Sequence, residues 1–246
     1  MKRALILTVA VGLLLFGCSA FGQEKTPIYF DGYDGNSWDG GGTGFYYGSI
    51  NGTNVGPHDA SPGMLCDDFN DHISNPEGWT AKAFQVSNLL ANWGTRGSNT
   101  LFGGSVTVGY NGYLEMAILV EDTFGNTLST IPGIVGPVSA DDVSEVLWCL
   151  TGGPSNCTKT GANAMSANAY TMLTWLKSLN LSGYNTSQFA NLWLYVPSQK
   201  GPQEMWGNVV VAEGGAALLY LLLAGVSCFG AMFLRSRNQR ANPEMA

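Results

Sequence analysis

The chain has 246 residues and a formal net charge of −7 at pH 7. Its acidic residues are concentrated between residues 23 and 215, where 17 Asp and Glu outnumber 6 Lys and Arg. A surface of this charge disfavours nucleic acid and anionic lipid as partners, and it suits neutral polysaccharide, cations or basic proteins. Hydrophobic residues make up 45% of the chain and aromatic residues 11%, so the chain can bury a core.

The first residues predict export from the cytoplasm. Residues 1–3 carry two positive charges, and 4–16 are apolar. Together with the small residues that follow, this order predicts that 1–22 is a secretory signal peptide. Cys18 leaves a second interpretation open, because the residues before it are close to a lipoprotein cleavage box in which Cys18 would be acylated. In either case the domain 23–208 is expected outside the cytoplasm.

Strand-like runs at 26–30 and 45–50 flank a glycine-rich loop that contains Asp34, Asn36 and Asp39. Clustered oxygen atoms on a flexible backbone are what a hard cation such as calcium binds. The spacing departs from that of an EF-hand, and no glutamate follows at the closing position. An exposed turn loop is therefore the alternative, and no metal site is assigned.

The remaining elements follow from the spacing of apolar residues. Three- and four-residue spacing predicts helices, at 79–93, 111–122, 140–150 and 162–179. Ser139 is the expected N-cap of the third helix. Asn51-Gly52 predicts a tight turn, and 189–196 alternates like a last strand. Strands near both ends with about four helices between them predict an α+β fold, with β-sandwich or barrel-like strands and an inserted helical layer.

The side chains of the exported domain that most resemble catalytic groups lie in one short stretch. Asp67, Asp68, Asp71 and His72 could hold a metal or supply paired carboxylates for hydrolysis. Cys66 could instead be a nucleophile. The alternative is a strand that ends in a capped turn. Because neither histidine of the chain belongs to a known nucleophile–base motif, no catalytic residue and no cofactor is assigned.

Three cysteines fall in the exported domain, namely Cys66, Cys149 and Cys157. Cys149 and Cys157 bracket a turn-rich loop that is short enough to bridge. In an oxidising compartment this spacing favours a disulfide between them. A bond between Cys66 and Cys149 is the alternative, and one thiol is left over in either pairing.

A polar turn, an uncharged apolar span and a basic stop follow the exported domain. The span 216–234 has 19 residues, which at about 1.5 Å each just cross a hydrocarbon core of about 30 Å. It therefore predicts a transmembrane helix, with the membrane as a partner. Three arginines follow the span, so the positive-inside rule puts the tail 235–246 in the cytoplasm.

Six residues on the two sides of this span carry a resemblance to a known family: Glu213, Gly214, Gly215, Arg235, Arg237 and Arg240. With the span, they resemble the C-terminal sorting signal of PEP-CTERM proteins, which covers 209–240 here. The family motif Val-Pro-Glu-Pro is replaced by Val-Ala-Glu-Gly. PEP-CTERM proteins are exported by Gram-negative bacteria that make exopolysaccharide, and an exosortase is thought to process the signal. The resemblance implies cleavage near Glu213, an exosortase-like enzyme as a partner and exopolysaccharide as a further partner. A plain single-pass anchor is the alternative.

A second resemblance joins residues 65–68 to residues 143–148. These segments are similar to the two motifs of thioester domains in Gram-positive surface adhesins, where a Cys and a Gln form an internal thioester. Here Cys66 matches the Cys, but the Gln position is Ser144 and its neighbour is Glu145. The resemblance therefore implies a shared fold that has lost the covalent chemistry.

These observations favour a non-enzymatic exported protein of the cell surface or extracellular matrix, anchored or sorted through its C-terminal helix. One alternative is an envelope hydrolase that uses Asp67, Asp68, Asp71 and His72. The other is a polysaccharide-binding adhesin of thioester-domain ancestry. The predicted organisation is a signal peptide (1–22), an exported domain (23–208), a sorting signal (209–240) that contains the transmembrane helix (216–234), and a basic tail (235–246).

Overall fold

The structure, a computed structural model, describes residues 23–208, with gaps at 36, 39–40, 57–62, 69–72, 74–75, 104–107, 126, 153–156 and 162–163. The described chain contains a seven-stranded antiparallel sheet and a two-stranded ribbon. The strands are β1 (Gln23–Tyr33), β2 (Ser37–Trp38), β3 (Gly41–Gly42), β4 (Tyr46–Ile50), β5 (Thr53–Val55), β6 (Leu65–Cys66), β7 (Glu77–Gln85), β8 (Trp193–Pro197) and β9 (Met205–Gly207). The order across the large sheet is β5-β4-β1-β7-β8-β9-β6, and β2 pairs with β3.

The large sheet curls into a half-barrel. Met64, just before the edge strand β6, forms an antiparallel bridge to Tyr46 in β4, near the opposite edge. The two backbone hydrogen bonds of this bridge measure 2.8 and 2.9 Å. Strands twist and coil naturally, and the bridge brings the two ends of the sheet together. One hydrogen-bonded sheet thus joins the N-terminal and C-terminal strands.

Side chains alternate between the two faces of this sheet, as the period of a strand requires. One row crosses four strands and faces the helices: Phe84, Leu194, Trp206 and Leu65. The neighbouring row faces the inside of the curl: Ala83, Tyr195, Met205 and Cys66. The sheet therefore separates two apolar clusters, and the residues of these two rows belong to one or the other by parity.

Five α-helices occur in the described chain: α1 (Val86–Ala91), α2 (Trp93–Arg96), α3 (Gly109–Phe124), α4 (Ala140–Leu150) and α5 (Ala167–Ser178). Four 3₁₀ segments accompany them: Gly97–Asn99, Leu128–Thr130, Leu181–Gly183 and Thr186–Asn191. Residues 112–120 of α3 are all buried, which makes α3 the central helix of the layer. The helix α4 begins with a capping box, in which Ser139 and Asp142 satisfy each other's backbone N–H groups.

Two local predictions agree with this architecture. The Asn51-Gly52 turn joins β4 to β5, and both residues have positive φ, 51° and 78°. Positive φ at both central positions is the condition for a type I′ hairpin turn. The predicted N-cap Ser139 begins α4, and its hydroxyl accepts a hydrogen bond from the Asp142 N–H.

The predicted fold class is wrong as it was stated. The described chain is mixed α+β, and of the two predicted strand arrangements, β-sandwich and barrel-like, the sandwich is not formed. Seven strands make one half-barrel sheet, because β8 and β9 pair onto β7 and continue the sheet that begins at β5. The described chain holds five α-helices rather than about four. The first half of the predicted helix 79–93 is the end of strand β7, because Trp79, Ala81 and Ala83 are buried in alternation, and helical structure begins only at Val86.

The predicted fold class also included a membrane helix. Among the residues with described coordinates, none of the helices has the length and apolar character needed to cross a membrane. The segments predicted as a signal peptide (1–22), a sorting signal (209–240), a transmembrane helix (216–234) and a tail (235–246) lie outside these residues. The same holds for the six sorting-signal residues: Glu213, Gly214, Gly215, Arg235, Arg237 and Arg240.

Candidate functional site

Two fully buried carboxyl groups, those of Asp67 and Glu204, lie at the edge of the sheet. Asp67 follows β6 and Glu204 precedes β9, so the antiparallel pairing of these strands sets the two residues opposite each other. The Asp67 N–H lies 3.5 Å from the Glu204 carbonyl oxygen, and both residues are 0% exposed. Burying a carboxylate costs on the order of several kcal/mol unless hydrogen bonds compensate.

Hydrogen bonds from three directions hold the two carboxyl groups. The Tyr113 hydroxyl of α3 donates to Glu204 Oε1 at 2.6 Å, and the Leu101 N–H donates to Oε2 at 2.9 Å. The Trp206 indole N–H donates to Asp67 Oδ2 at 2.7 Å. The pair therefore connects the central helix and the loop at residue 101 to the last strand of the sheet.

Burial shifts the protonation of both groups. It raises the pKa of Asp67 well above its usual range, and the negative charge of Glu204 raises that pKa further. Burial also raises the pKa of Glu204, to about 7, although the hydrogen bonds from Tyr113 and Leu101 oppose the rise. Both pKa values are therefore raised in the folded protein, so the protonated form of the pair persists to higher pH than in the unfolded chain.

Of the predicted hydrolase cluster, the structure describes only Asp67 and Asp68. Asp67 contacts Glu204, and Asp68 is 2% exposed, with its carbonyl oxygen accepting from the Gln203 amide at 2.8 Å. Asp71 and His72 lie outside the described residues. A general acid or base must reach a substrate, and neither Asp67 nor Asp68 reaches the surface. Glu204 was missed in the sequence, where the only signal is an acid placed directly before a strand.

The thiol of Cys66 is free and completely buried. Its sulfur accepts a hydrogen bond from the Asp68 N–H at 3.3 Å. Burial raises the pKa of Cys66 well above its usual range, and the neighbouring Asp67 contributes in the same direction. A nucleophilic cysteine needs a thiolate and access, so this thiol has the properties of a core side chain.

The other two positions of the proposed thioester ancestry have separate partners. The Ser144 hydroxyl accepts from the Gly44 N–H at 3.1 Å and donates to the Ala140 carbonyl at 3.0 Å. The Glu145 carboxylate accepts from the Ser166 N–H at 2.8 Å, and burial raises its pKa to about 7. The thioester resemblance therefore remains a prediction about ancestry.

The helix α4 nevertheless ends beside the strand that carries Cys66. Thr151, the residue after α4, donates its hydroxyl to the Asp67 carbonyl at 2.6 Å. This contact joins the segment 65–68 to the residue that follows α4, and it involves neither Ser144 nor Glu145.

The disulfide pairs Cys149 with Cys157, at an S–S distance of 2.08 Å and a Cα–Cα distance of 5.8 Å. Cys149 lies in the last turn of α4, so the bond closes the loop that follows this helix. Because Cys66 is free, the alternative bond between Cys66 and Cys149 is not formed.

The loop that was considered for a cation is only partly described. Asp34 is exposed and its N–H donates to the Phe45 carbonyl at 3.0 Å, which is a turn contact. Asn36 and Asp39 lie outside the described residues. No cluster of three or more His, Cys, Asp or Glu side chains that could hold a metal occurs in the part of the chain with coordinates.

A shallow surface cleft of about 490 Å³ lies on the outer face of the sheet, beyond the part that the helices cover. Strands β1, β4 and β7 form its floor, and residue 199 after β8 forms part of its wall. Its lining residues are Pro27, Ile28, Tyr29, Ser49, Gly52, Gly78, Trp79, Thr80 and Gln199. Unlike the buried acids, this cleft is accessible to a ligand.

Comparison of the chain with protein-family models, with curated proteins and with solved structures gives no match.

Proposed function

We propose that the chain is a non-enzymatic exported protein of the cell surface or extracellular matrix. The observation that carries the proposal is the disulfide between Cys149 and Cys157. Disulfides form and persist in oxidising compartments and are rare in the cytosol. The predicted signal peptide at 1–22 and the PEP-CTERM-like segment at 209–240 point to the same destination.

The buried acids support the non-enzymatic part of the proposal. The buried acids and the buried thiol all have structural partners. Glu204 accepts from Tyr113, and Asp67 accepts from Trp206. The Cys66 sulfur accepts from the Asp68 backbone. In this proposal the buried carboxyl pair connects the central helix to the sheet edge and takes no part in turning over a substrate. The partners of the proposed protein are an exosortase-like enzyme and exopolysaccharide.

Mass spectrometry of the protein from a Gram-negative, exopolysaccharide-producing host tests the proposal. The chain is alkylated in denaturant before and after reduction. A form processed near Glu213 retains Cys66, Cys149 and Cys157, so we expect one alkylated cysteine before reduction and three after it. A form that keeps the C-terminal span also retains Cys228 and should give two and four.

The matched control is Glu213→Ala, which leaves the domain and its disulfide unchanged. We expect this variant to keep the alkylation pattern of the domain but to retain its C-terminal mass. Recovery of the wild-type chain from the cytoplasm, with Cys149 and Cys157 alkylated before reduction, would refute the proposed export.

A further inference from the structure

The helical layer covers only part of the outer face of the sheet. On β7 the residues of one parity are Gly78, Thr80, Lys82 and Phe84, and they point to the same side. Their exposure falls along the strand, from exposed at Gly78 and Thr80 to buried at Phe84, where the helices begin. The first half of β7 and the adjoining strands β1 and β4 therefore present an open face.

Tyr29 stands at the centre of this open face. It pairs directly with Ser49 on β4 and with Gly78 on β7, and it is 44% exposed. A Cβ atom at Gly78 would lie 3.2 Å from Tyr29 Cδ2, so the tyrosine ring packs against the glycine backbone. The glycine leaves room for the ring on one side, and much of the ring remains available to a ligand.

We propose that the cleft around Tyr29 binds a segment of neutral polysaccharide. The described residues that line it include no charged side chain, although the domain as a whole is strongly acidic. Ser49, Thr80 and Gln199 supply groups that both donate and accept hydrogen bonds, as sugar hydroxyls do. The rigid aromatic ring supplies the apolar surface against which the C–H face of a sugar can pack. An aromatic wall with a few convergent polar groups is the usual composition of a small-ligand site.

A second cleft extends the first one. It measures about 290 Å³, shares Gln199 with the cleft around Tyr29, and is also lined by Leu101, which is 41% exposed, and by Lys200. A chain-like ligand can therefore continue past Gln199, which a single sugar ring would not require. An acidic polysaccharide would gain a charge contact with Lys200. The test therefore includes an acidic polysaccharide beside the neutral ones.

Isothermal titration calorimetry of the purified full chain tests the proposal. The probes are hexasaccharides of β-1,4-glucan, β-1,3-glucan, mannan and galactan, with a polygalacturonate hexasaccharide as the acidic probe. We expect saturable binding of at least one neutral probe. Tyr29→Ala should raise its Kd about tenfold, or about 1.4 kcal/mol, because the truncation removes both the packed ring contact and the apolar area that the ring buries.

Tyr33→Ala is the matched control, because Tyr33 lies on the same strand, is 43% exposed and does not line the cleft. It should leave the Kd unchanged, and Tyr29→Phe should keep binding because the ring is retained. Equal loss in Tyr29→Ala and Tyr33→Ala, tighter binding of the acidic probe, or no binding of any neutral probe would overturn the proposal. The proposal rests on the proposed function only for the source of the glycan. A failed titration therefore leaves the export result intact, and failed export leaves the titration interpretable.

Discussion

Replacing Glu204 by glutamine should make the stability of the domain less dependent on pH. Glutamine has the same shape as glutamate and cannot ionise. Its amide oxygen can still accept from the Leu101 N–H, and its NH₂ group can donate to the Tyr113 hydroxyl, which rotates to accept. The variant therefore keeps the connection between α3, the loop at residue 101 and β9. It removes the titration of Glu204 together with the negative charge that raises the pKa of Asp67, so the measured effect belongs to the carboxyl pair.

The size of the effect follows from the pKa of Glu204. This pKa is raised by burial from an ordinary value of 4.5 to about 7 in the folded protein. A raised folded-state pKa means that the folded protein holds a proton which the unfolded chain has already released. The associated stability is complete below pH 4.5 and is lost as the pH rises through 7. At about 1.4 kcal/mol per pH unit, this loss amounts to about 3 kcal/mol.

The assay is urea unfolding at pH values from 4 to 8. Tryptophan fluorescence monitors the unfolding, because the Trp206 indole donates a hydrogen bond to Asp67 in the buried carboxyl pair. We expect Glu204→Gln to lie within about 1 kcal/mol of the wild type at pH 4. It should gain about 3 kcal/mol relative to the wild type by pH 8. Glu145 also titrates near 7, but it is present in both proteins and cancels in the difference.

Asp31→Asn provides the control, because Asp31 is an exposed carboxylate on β1. It removes one exposed negative charge elsewhere on the sheet, so a gain equal to that of Glu204→Gln would show that the loss of any negative charge produces the effect. A constant difference between Glu204→Gln and the wild type at every pH would refute the reasoning, because the buried carboxyl would then not be the titrating group.

Three further predictions follow from the core, the disulfide and the hairpin turn. Replacing both Cys149 and Cys157 by alanine should lower the unfolding free energy by about 2 to 3 kcal/mol in urea, as expected for a cross-link over a sequence separation of 8; an unchanged urea midpoint would contradict it. Cys66 should resist iodoacetamide in the native protein and react fully in urea, as followed by mass; rapid native labelling would show that the thiol is accessible. Gly52→Ala should cost about 1 kcal/mol, because the φ of 78° is strained for a side chain although no atom lies near the added Cβ. Gly52→Asn should cost less.

Elements with complete local signals could be predicted from the sequence. The helix α4 combines an N-cap serine, an acid at the third position and a periodic apolar face, all within one short segment. The Asn51-Gly52 turn likewise depends on the backbone preferences of two adjacent residues. In both cases the deciding interactions lie between neighbours in the sequence, so local pattern and structure agree.

The strand β7 could not be predicted in the same way. Its sequence contains alanine and a lysine, which are compatible with a helix, and Val86, Leu89 and Leu90 continue it with helical spacing. The strand forms because it lies between β1 and β8 in the sheet, and β8 comes more than 100 residues later. Tertiary pairing of this kind overrides local propensity.

The buried acid pair shows the same limitation at the site. In the sequence, Asp67 stands close to Asp68, Asp71 and His72. This arrangement predicts a site made of residues that are near one another along the chain. The partner that the structure provides is Glu204, which reaches Asp67 only through the pairing of β6 with β9. Proximity along the chain and proximity across a sheet are independent, so a carboxyl pair of this kind is not visible in one sequence.

The register between β6 and β9 explains why the acids and Cys66 have such different surroundings. In the observed register Leu65 faces the helices with Trp206, and Cys66 faces the inside of the curl with Met205. A slip of one residue would exchange these faces. It would also separate Asp67 from the Trp206 N–H and leave a buried carboxyl without its donor, which costs about 1 to 3 kcal/mol or more. We infer that the buried pair helps to specify the register of the sheet edge, which gives these acids a structural role.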